Sequence, residues 1–381
     1  MKLLEVSRCP WWGKISIIFM VAVLILVCTT CTPYTRKSAA DHLVRVALLC
    51  GIDKVRVSGI VKNRHYKDHT VTQDDTFPLY VSSRGSFVEV NGTPYRGTVE
   101  LQLLDNRIWV INILEMDDYV KGVVPCEIGR VSEDLYEVAR AQAVAARTYG
   151  YAHLDQHQDM GFDLYSSIQD QVYKGVRCET ELTNRAVDAT AREILTFKGQ
   201  PVEAKYHSTC GGHTADFNDA WPGTPPPYLR SVRCPFCTAS PHYSWEKKFA
   251  KGDFFKHLRT GLLKIGIAVP ADVPIKNIKL VRNKKSKRII KLVVLTGNRD
   301  YEIPGYQVRS VLGSPSDPGG LLKSNCFTIE RHRDDIIIKG NGWGHGVGMC
   351  QFGAIEMARR GMNYKKILYH YYRGTKINKV R

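Results

Sequence analysis

Asp117-Asp118-Tyr119-Val120-Lys121-Gly122-Val123-Val124-Pro125-Cys126-Glu127-Ile128, with Ala141-Gln142-Ala143-Val144-Ala145-Ala146-Arg147-Thr148-Tyr149 shortly behind it, is the stretch on which the fold turns. From Ser132, a residue type that caps helices, Glu133 and Asp134 lead into apolar residues at helical spacing, which predicts a long helix to about His157. Glu127 then sits in an apolar loop just ahead of that helix. Upstream, between Val44 and Leu114, short β-rich runs alternate with turn signals, as in Val55-Arg56-Val57-Ser58-Gly59-Ile60, Ser86-Phe87-Val88-Glu89-Val90-Asn91-Gly92 and Ile108-Trp109-Val110-Ile111-Asn112. Strands gathered ahead of helices predict an α+β fold. Its parts are a mixed β-rich scaffold, a long helix after the loop that carries Glu127, and a glycine-rich C-terminal motif.

Downstream, a second helix is expected over Glu179 to Leu195, and Pro222 to Pro227 reads as a loop. The stretch from about Ser244 to Ile338 returns to mixed strands. Its basic run, Lys284, Lys285, Lys287 and Arg288, reads as a solvated hairpin tip, with contact to an acidic polymer as the alternative. Gly353 to Tyr372 predicts one or two closing helices. The expected organisation is an export segment over 1–37, a β-rich part over 40–114, and a catalytic part over 115–381. That last part holds a candidate zinc knuckle at 207–237 and a β-rich insertion at about 244–338.

The chain has 381 residues and 44% hydrophobic content, enough to bury a real core, and this excludes a disordered chain. Its net charge of +17 draws polyanions. Lys2, Arg8 and Lys14 precede an uncharged apolar run from Ile15 to Cys28, close to the roughly 20 residues that span a bilayer. The expectation is an uncleaved signal-anchor, with the rest of the chain outside the cytoplasm of a bacterial cell envelope. A cleaved signal, or lipidation at Cys28 or Cys31, is the alternative. Export argues against nucleic acid as the partner of the positive charge.

Glu127 lies among Val123, Val124, Pro125 and Ile128, a setting that raises a carboxyl pKa by desolvation and suits a general acid. The structural alternative is a glutamate paired with Arg130 or Arg147. Cys210-x-x-His213 and Cys234-x-x-Cys237 are two ligand pairs joined by a loop, the spacing of a tetrahedral zinc site. A Cys234–Cys237 disulfide is the alternative, and His207 could replace His213. In Gly342-Trp343-Gly344-His345-Gly346-Val347-Gly348-Met349-Cys350-Gln351-Phe352-Gly353 the glycines let backbone approach a ligand. Trp343 could stack on a sugar, with His345 and Gln351 bonding its hydroxyls.

Taken together, Asp118-Tyr119 through Glu127, the Gln142 to Tyr149 helix, Gln169 to Gly175, His207 to Thr214, Pro227 to Val232, and Gly342 to Gly353 resemble the SpoIID family of peptidoglycan-acting proteins. The resemblance implies a lytic transglycosylase that cleaves MurNAc-GlcNAc bonds to 1,6-anhydro ends, with Glu127 as acid and base. It implies peptide-stripped glycan strands as substrate, a cell-wall amidase as functional partner, and zinc near the site in some relatives. It also places Gln142, Arg147, Tyr149, Gln171, Tyr173, His207 and Ser208 at the substrate. The family's modulator branch supplies the second implied role, a non-catalytic glycan binder that activates an amidase. This chain departs from the family pattern at Cys126, at Cys350, and in having Glu127-Ile128-Gly129 where Glu-Met-Pro is usual.

Overall fold

The computed structural model describes residues 43–85 and 87–380. The expected signal-anchor and both lipidation candidates lie outside them. Among the described residues no helix is long and apolar enough to cross a membrane.

The N-terminal part consists of strands β1 (Leu43–Ile52), β2 (Lys54–Val61), β3 (Arg64–Thr72), β4 (Leu79–Val81), β5 (Val88–Val90), β6 (Thr93–Tyr95), β7 (Thr98–Leu104) and β8 (Arg107–Glu115), to which the later β9 (Leu164–Tyr165) is added. Asn91 with Gly92, and Asp105 with Asn106, all have positive φ, the geometry that closes tight hairpins between β5 and β6 and between β7 and β8. One sheet runs β4-β7-β8-β1-β9 and another β3-β2-β5-β6. Val55, Val57 and Val88 of the second sheet are buried in one core with Val99, Leu101, Ile108 and Val110 of the first. The three strand-rich runs read from the sequence fall on β2, β5 and β8.

Strand β8 runs without a break into helix α1 (Met116–Ile128). Glu127 therefore stands on the last turn of a helix, where a loop was expected. Pro125 lies inside the helix, where it withholds one N–H from the helical bonding, and the helix stops at Gly129, whose N–H bonds the Pro125 carbonyl at 3.1 Å. Ser132 does not cap the next helix. Glu133–Leu135 form a separate 3-10 turn, and α2 (Tyr136–Ala152) starts after it and ends short of the expected His157. Ala141, Ala143, Ala145 and Ala146 are fully buried, and their small side chains let α2 lie against its neighbours on several sides. Helix α3 (Glu181–Ala189) opens on a Thr180–Thr183 capping box. It ends before the expected Leu195, because Arg192 turns at φ 62 and β10 (Glu193–Phe197) follows.

After β11 (Gln200–Pro201) and β12 (Tyr206–His207), an inserted lobe contains β13 (Ser244–Ala250), α4 (Lys251–Lys264), β14 (Asn277–Arg282), β15 (Ile289–Leu295), β16 (Asp300–Pro304), α5 (Gly305–Leu312), β17 (Phe327–Arg331) and β18 (Asp335–Asn341). Phe254, Leu258, Leu292, Val308, Phe327 and Ile338 belong to its own core. The two helices were not expected there. The basic run is also not a free tip, for Arg288 is fully buried and donates to Asn325 Oδ1 at 2.7 Å and the Cys210 carbonyl at 3.3 Å. A Cβ on Gly346 would come within 2.2 Å of that guanidinium, so the glycine loop closes over it. The chain finishes with β19 (Met349–Cys350), α6 (Gln351–Arg359), α7 (Tyr364–Tyr371) and β20 (Lys376–Lys379), which pairs with β10. Parallel pairing of Tyr206 with Met349 and His207 with Cys350 sets the two distant motifs side by side.

Candidate active site and cysteine cluster

A cavity of about 320 Å³ is lined by Glu127, Ile128, Ser208, His242, Trp343, Gln351, Phe352 and Ile355. Three of the sequence motifs and the start of the inserted lobe meet in it. Glu127 is the one carboxylate lining it among the described residues. Its Oε1 accepts from the Val172 N–H at 2.9 Å, and Tyr206 and Gln351 also bond the carboxyl. Burial raises the pKa above its ordinary value and outweighs those three bonds, which lower it. A carboxyl held this way can give up a proton and then be stabilised as the anion.

Behind it runs a buried chain of polar groups. Tyr119 OH donates to Gln171 Oε1 at 3.2 Å, and Gln171 Nε2 donates to Tyr206 OH at 2.8 Å, leaving the phenol proton for Glu127. On the other side Gln351 Nε2 donates to Gln142 Oε1 at 3.5 Å. Gln142, Gln171 and Gln351 thus act on the carboxylate directly or at one remove. Of the residues expected at the substrate, Ser208, Trp343 and Gln351 line the cavity. Trp343 meets the edge of His242 with ring centroids 4.1 Å apart.

Five expected contacts lie elsewhere. Arg147 is fully buried, bonds Asp117, and donates to the carbonyls of Glu193 at 3.1 Å and Val187 at 3.2 Å. It ties α2 to α1, α3 and β10, and is committed to Asp117 rather than Glu127. Tyr173 is buried against Gly122, its hydroxyl on Asn112 Oδ1 at 2.9 Å. Tyr149 donates to Asp170 Oδ1 at 2.9 Å and stacks on His153, one layer behind the cavity. His345 bonds the Tyr206 carbonyl through Nε2 at 2.8 Å and accepts the Val347 N–H on Nδ1 at 3.1 Å, so its ring fixes backbone. His207 is buried beside it, its pKa pushed down to about 3 by burial and then by the Arg288 charge. It is a neutral packing group. Tyr206, His242, Phe352 and Ile355 were not singled out from the sequence. Only the neighbourhood of His207 and Gln351 in the chain pointed to two of them.

The metal-type residues also regroup. The thiol sulfurs of Cys210, Cys234, Cys237 and Cys350 lie within 4.8 Å of one another, all buried. Cys210 and Cys237 approach to 3.4 Å, and the Cys210 N–H points at Cys350 Sγ at 3.2 Å. Sulfurs on a tetrahedral zinc, about 2.3 Å from the metal, would be spaced just under 4 Å, so this donor set fits. His213 is outside the group. It turns its Nδ1 to the Thr214 carbonyl at 3.0 Å and pairs by backbone with Arg233. Cys350 takes its place because β19 runs beside β12, a long-range pairing invisible to local spacing. Cys234 and Cys237 are free thiols, not a disulfide. Cys126, next to Glu127, faces Cys178. Burial pushes its thiol up to about 12, so it stays protonated and is no rival nucleophile.

The stage II sporulation protein (SpoIID) family profile matches residues 104–197, and a domain of unknown function (DUF8618) matches 237–348. An uncharacterised protein of Brachyspira hyodysenteriae is 34% identical over 290 residues, spanning 76% of this chain and 73% of its own length. Stage II sporulation protein D of Bacillus subtilis is 30% identical over 282 residues, spanning 70% of this chain and 75% of its own. The amidase enhancer of Bacillus subtilis is 26% identical over 297 residues, spanning 67% of this chain and 40% of its own.

Proposed function

We propose, from the premise that this chain belongs to the SpoIID family, that it is a peptidoglycan lytic transglycosylase with Glu127 as its catalytic acid and base. The observation that carries this is a single buried carboxylate, raised in pKa, in a cavity walled by Trp343 and Gln351. Hydrolytic glycosidases use two flanking carboxylates. One is enough when the muramyl 6-hydroxyl is the nucleophile. Glu127 protonates the glycosidic oxygen, the C1–O bond breaks, and the 6-hydroxyl oxygen bonds C1 while its proton passes to the Glu127 carboxylate. The product is a 1,6-anhydro ring, and Glu127 ends protonated as it began. The Tyr206 and Gln351 bonds strengthen as charge appears on Glu127.

Cys210, Cys234, Cys237 and Cys350 would hold a structural zinc, which supplies cross-linking rather than an open coordination position. Cys350 adjoins Gln351 and Cys210 lies two residues from Ser208, so these thiols would fix two walls of the cavity. The chain works outside the cytoplasm, anchored by residues 1–37, on glycan strands stripped of peptide by an amidase.

The test is to incubate the full chain with peptide-stripped strands and seek 1,6-anhydromuramyl ends by mass spectrometry, beside Glu127→Gln. Anhydro ends from the parent alone support the enzyme. The amidase enhancer relative motivates a second reading, a glycan-binding amidase activator. It is favoured if neither protein cleaves and both accelerate an amidase.

A further inference from the structure

A second cavity, of about 610 Å³, opens on the inserted lobe, with Trp245 and Phe327 in its lining. Its charged lining is Arg282, Lys287 and Lys339 against Glu246. Lys339 is already paired with Glu330 at 2.8 Å. Among the described residues neither Arg282 nor Lys287 has a carboxylate within ion-pair distance. Arg282 is half-buried and spends one N–H on the Lys287 carbonyl at 3.3 Å. A guanidinium withdrawn from water without a counter-charge is costly, and an anion entering the cavity would relieve that cost.

The turn that carries Lys287 is held in place. Asn283 Oδ1 accepts from the Lys285 N–H at 2.9 Å, and Asn283 Nδ2 donates to Asp219 Oδ1 at 3.0 Å. Ser286 Oγ donates to Asp219 Oδ2 at 2.8 Å, and Arg288 is the buried guanidinium under the glycine loop. Lys287, at φ 59, is thus presented between two anchored neighbours. A solvated tip would need none of this.

The cavity also neighbours the Glu127 site along the chain. Ser244 and Asn341, partners across β13 and β18, line it, while His242 and Trp343, two residues away on the same two segments, line the other. Two residues of extended chain cover about 7 Å. A bound glycan could reach from one to the other.

We propose that this second cavity binds the free lactyl carboxylate of a muramyl residue beside the scissile disaccharide, through Arg282 and Lys287. The proposal rests on the reading that glycan occupies the Glu127 cavity. A stem peptide ties that carboxylate into a neutral amide, and an amidase frees it as an anion. Recognition of the anion gives this chain a physical means of selecting stripped strands.

The experiment measures binding of peptide-stripped strands to the full chain carrying Glu127→Gln, against the same strands with carboxylates converted to methylamides. Free strands should bind about 10- to 100-fold more tightly, the range of one or two charge-assisted hydrogen bonds. Adding Arg282→Gln or Lys287→Ala should erase that difference while the melting temperature holds. Equal binding of both strands to Glu127→Gln, or discrimination that survives both substitutions, overturns the proposal. Poly(glycerol phosphate) binding through these residues, without discrimination between strands, would assign the cavity to a phosphodiester polymer instead. Discrimination intact in a parent protein that makes no anhydro ends would sink the transglycosylase and leave this proposal standing. No strand binding at all would sink both.

Discussion

The backbone N–H of Val172 donates to Oε1 of Glu127 at 2.9 Å, tying the last turn of α1 to the loop that carries Gln171. That bond anchors the carboxyl beside Tyr206 and Gln351 in the lining of the cavity. The site is thus an anchored acid whose ionisation is set by burial and opposed by three bonds.

Tyr206→Phe should change the pH profile in a predictable direction. The phenol favours the charged carboxylate, so its removal raises the Glu127 pKa further. The acid works protonated, and activity falls as pH climbs past that pKa. The alkaline limb of kcat/KM should therefore move to higher pH in Tyr206→Phe. A limb that stays in place or moves down would show that this hydroxyl does not govern Glu127.

The raised pKa of Glu127 was legible in the sequence because its cause is local. Val123, Val124, Pro125 and Ile128 stand beside Glu127 in the chain, and desolvation follows from them. The hairpin at Asn91-Gly92 was legible for the same reason, as only certain residues accept its backbone. The fourth cysteine was not. His213 satisfied the expected spacing, whereas Cys350 reaches the cluster through the parallel pairing of β12 with β19. Arg288 misled in the opposite sense. A run of four basic residues reads as solvated, and nothing in the run says that one of them will be enclosed by a glycine loop 56 residues further on. Glu127 on a helix was hidden by Pro125, which discourages a helix everywhere except in its first turn.

Metal content separates the two ligand sets. The purified chain should hold about one zinc, the stoichiometry of a closed four-ligand site. Cys350→Ser and Cys234→Ser should each lose it to a mild chelator, while His213→Ala retains it. Elemental analysis after dialysis reads this without any assay of activity. Retention by Cys350→Ser together with loss in His213→Ala would restore the ligand set expected from spacing.

Arg147→Ala should act on stability before it acts on substrate. The variant strands the carbonyls of Glu193 and Val187 and leaves Asp117 without its partner. Breaking a buried pair from one side costs about 3–5 kcal/mol. Urea unfolding should show a loss of that order, with KM of the folded fraction unchanged. A variant that melts like the parent but binds strands weakly would return Arg147 to the substrate.

His242→Ala tests whether the inserted lobe shapes the cavity. The His242 ring meets Trp343 at 83° with centroids 4.1 Å apart, an edge-to-face pair that holds the indole against the opening. Phe352 meets the same imidazole edge-to-face as well, at 6.5 Å between centroids. The edge-to-face arrangement is worth about 0.5–1.5 kcal/mol. Its loss lets Trp343 sample other rotamers, which weakens stacking on a sugar before and during the reaction alike. KM should rise by up to about 10-fold on that scale, with kcat changed little because Glu127 keeps its three bonds. Initial rates over a range of strand concentrations separate the two constants. A fall in kcat at constant KM would mean that His242 acts on the reacting atoms, making it a second proton-transfer group in a cavity with one carboxylate.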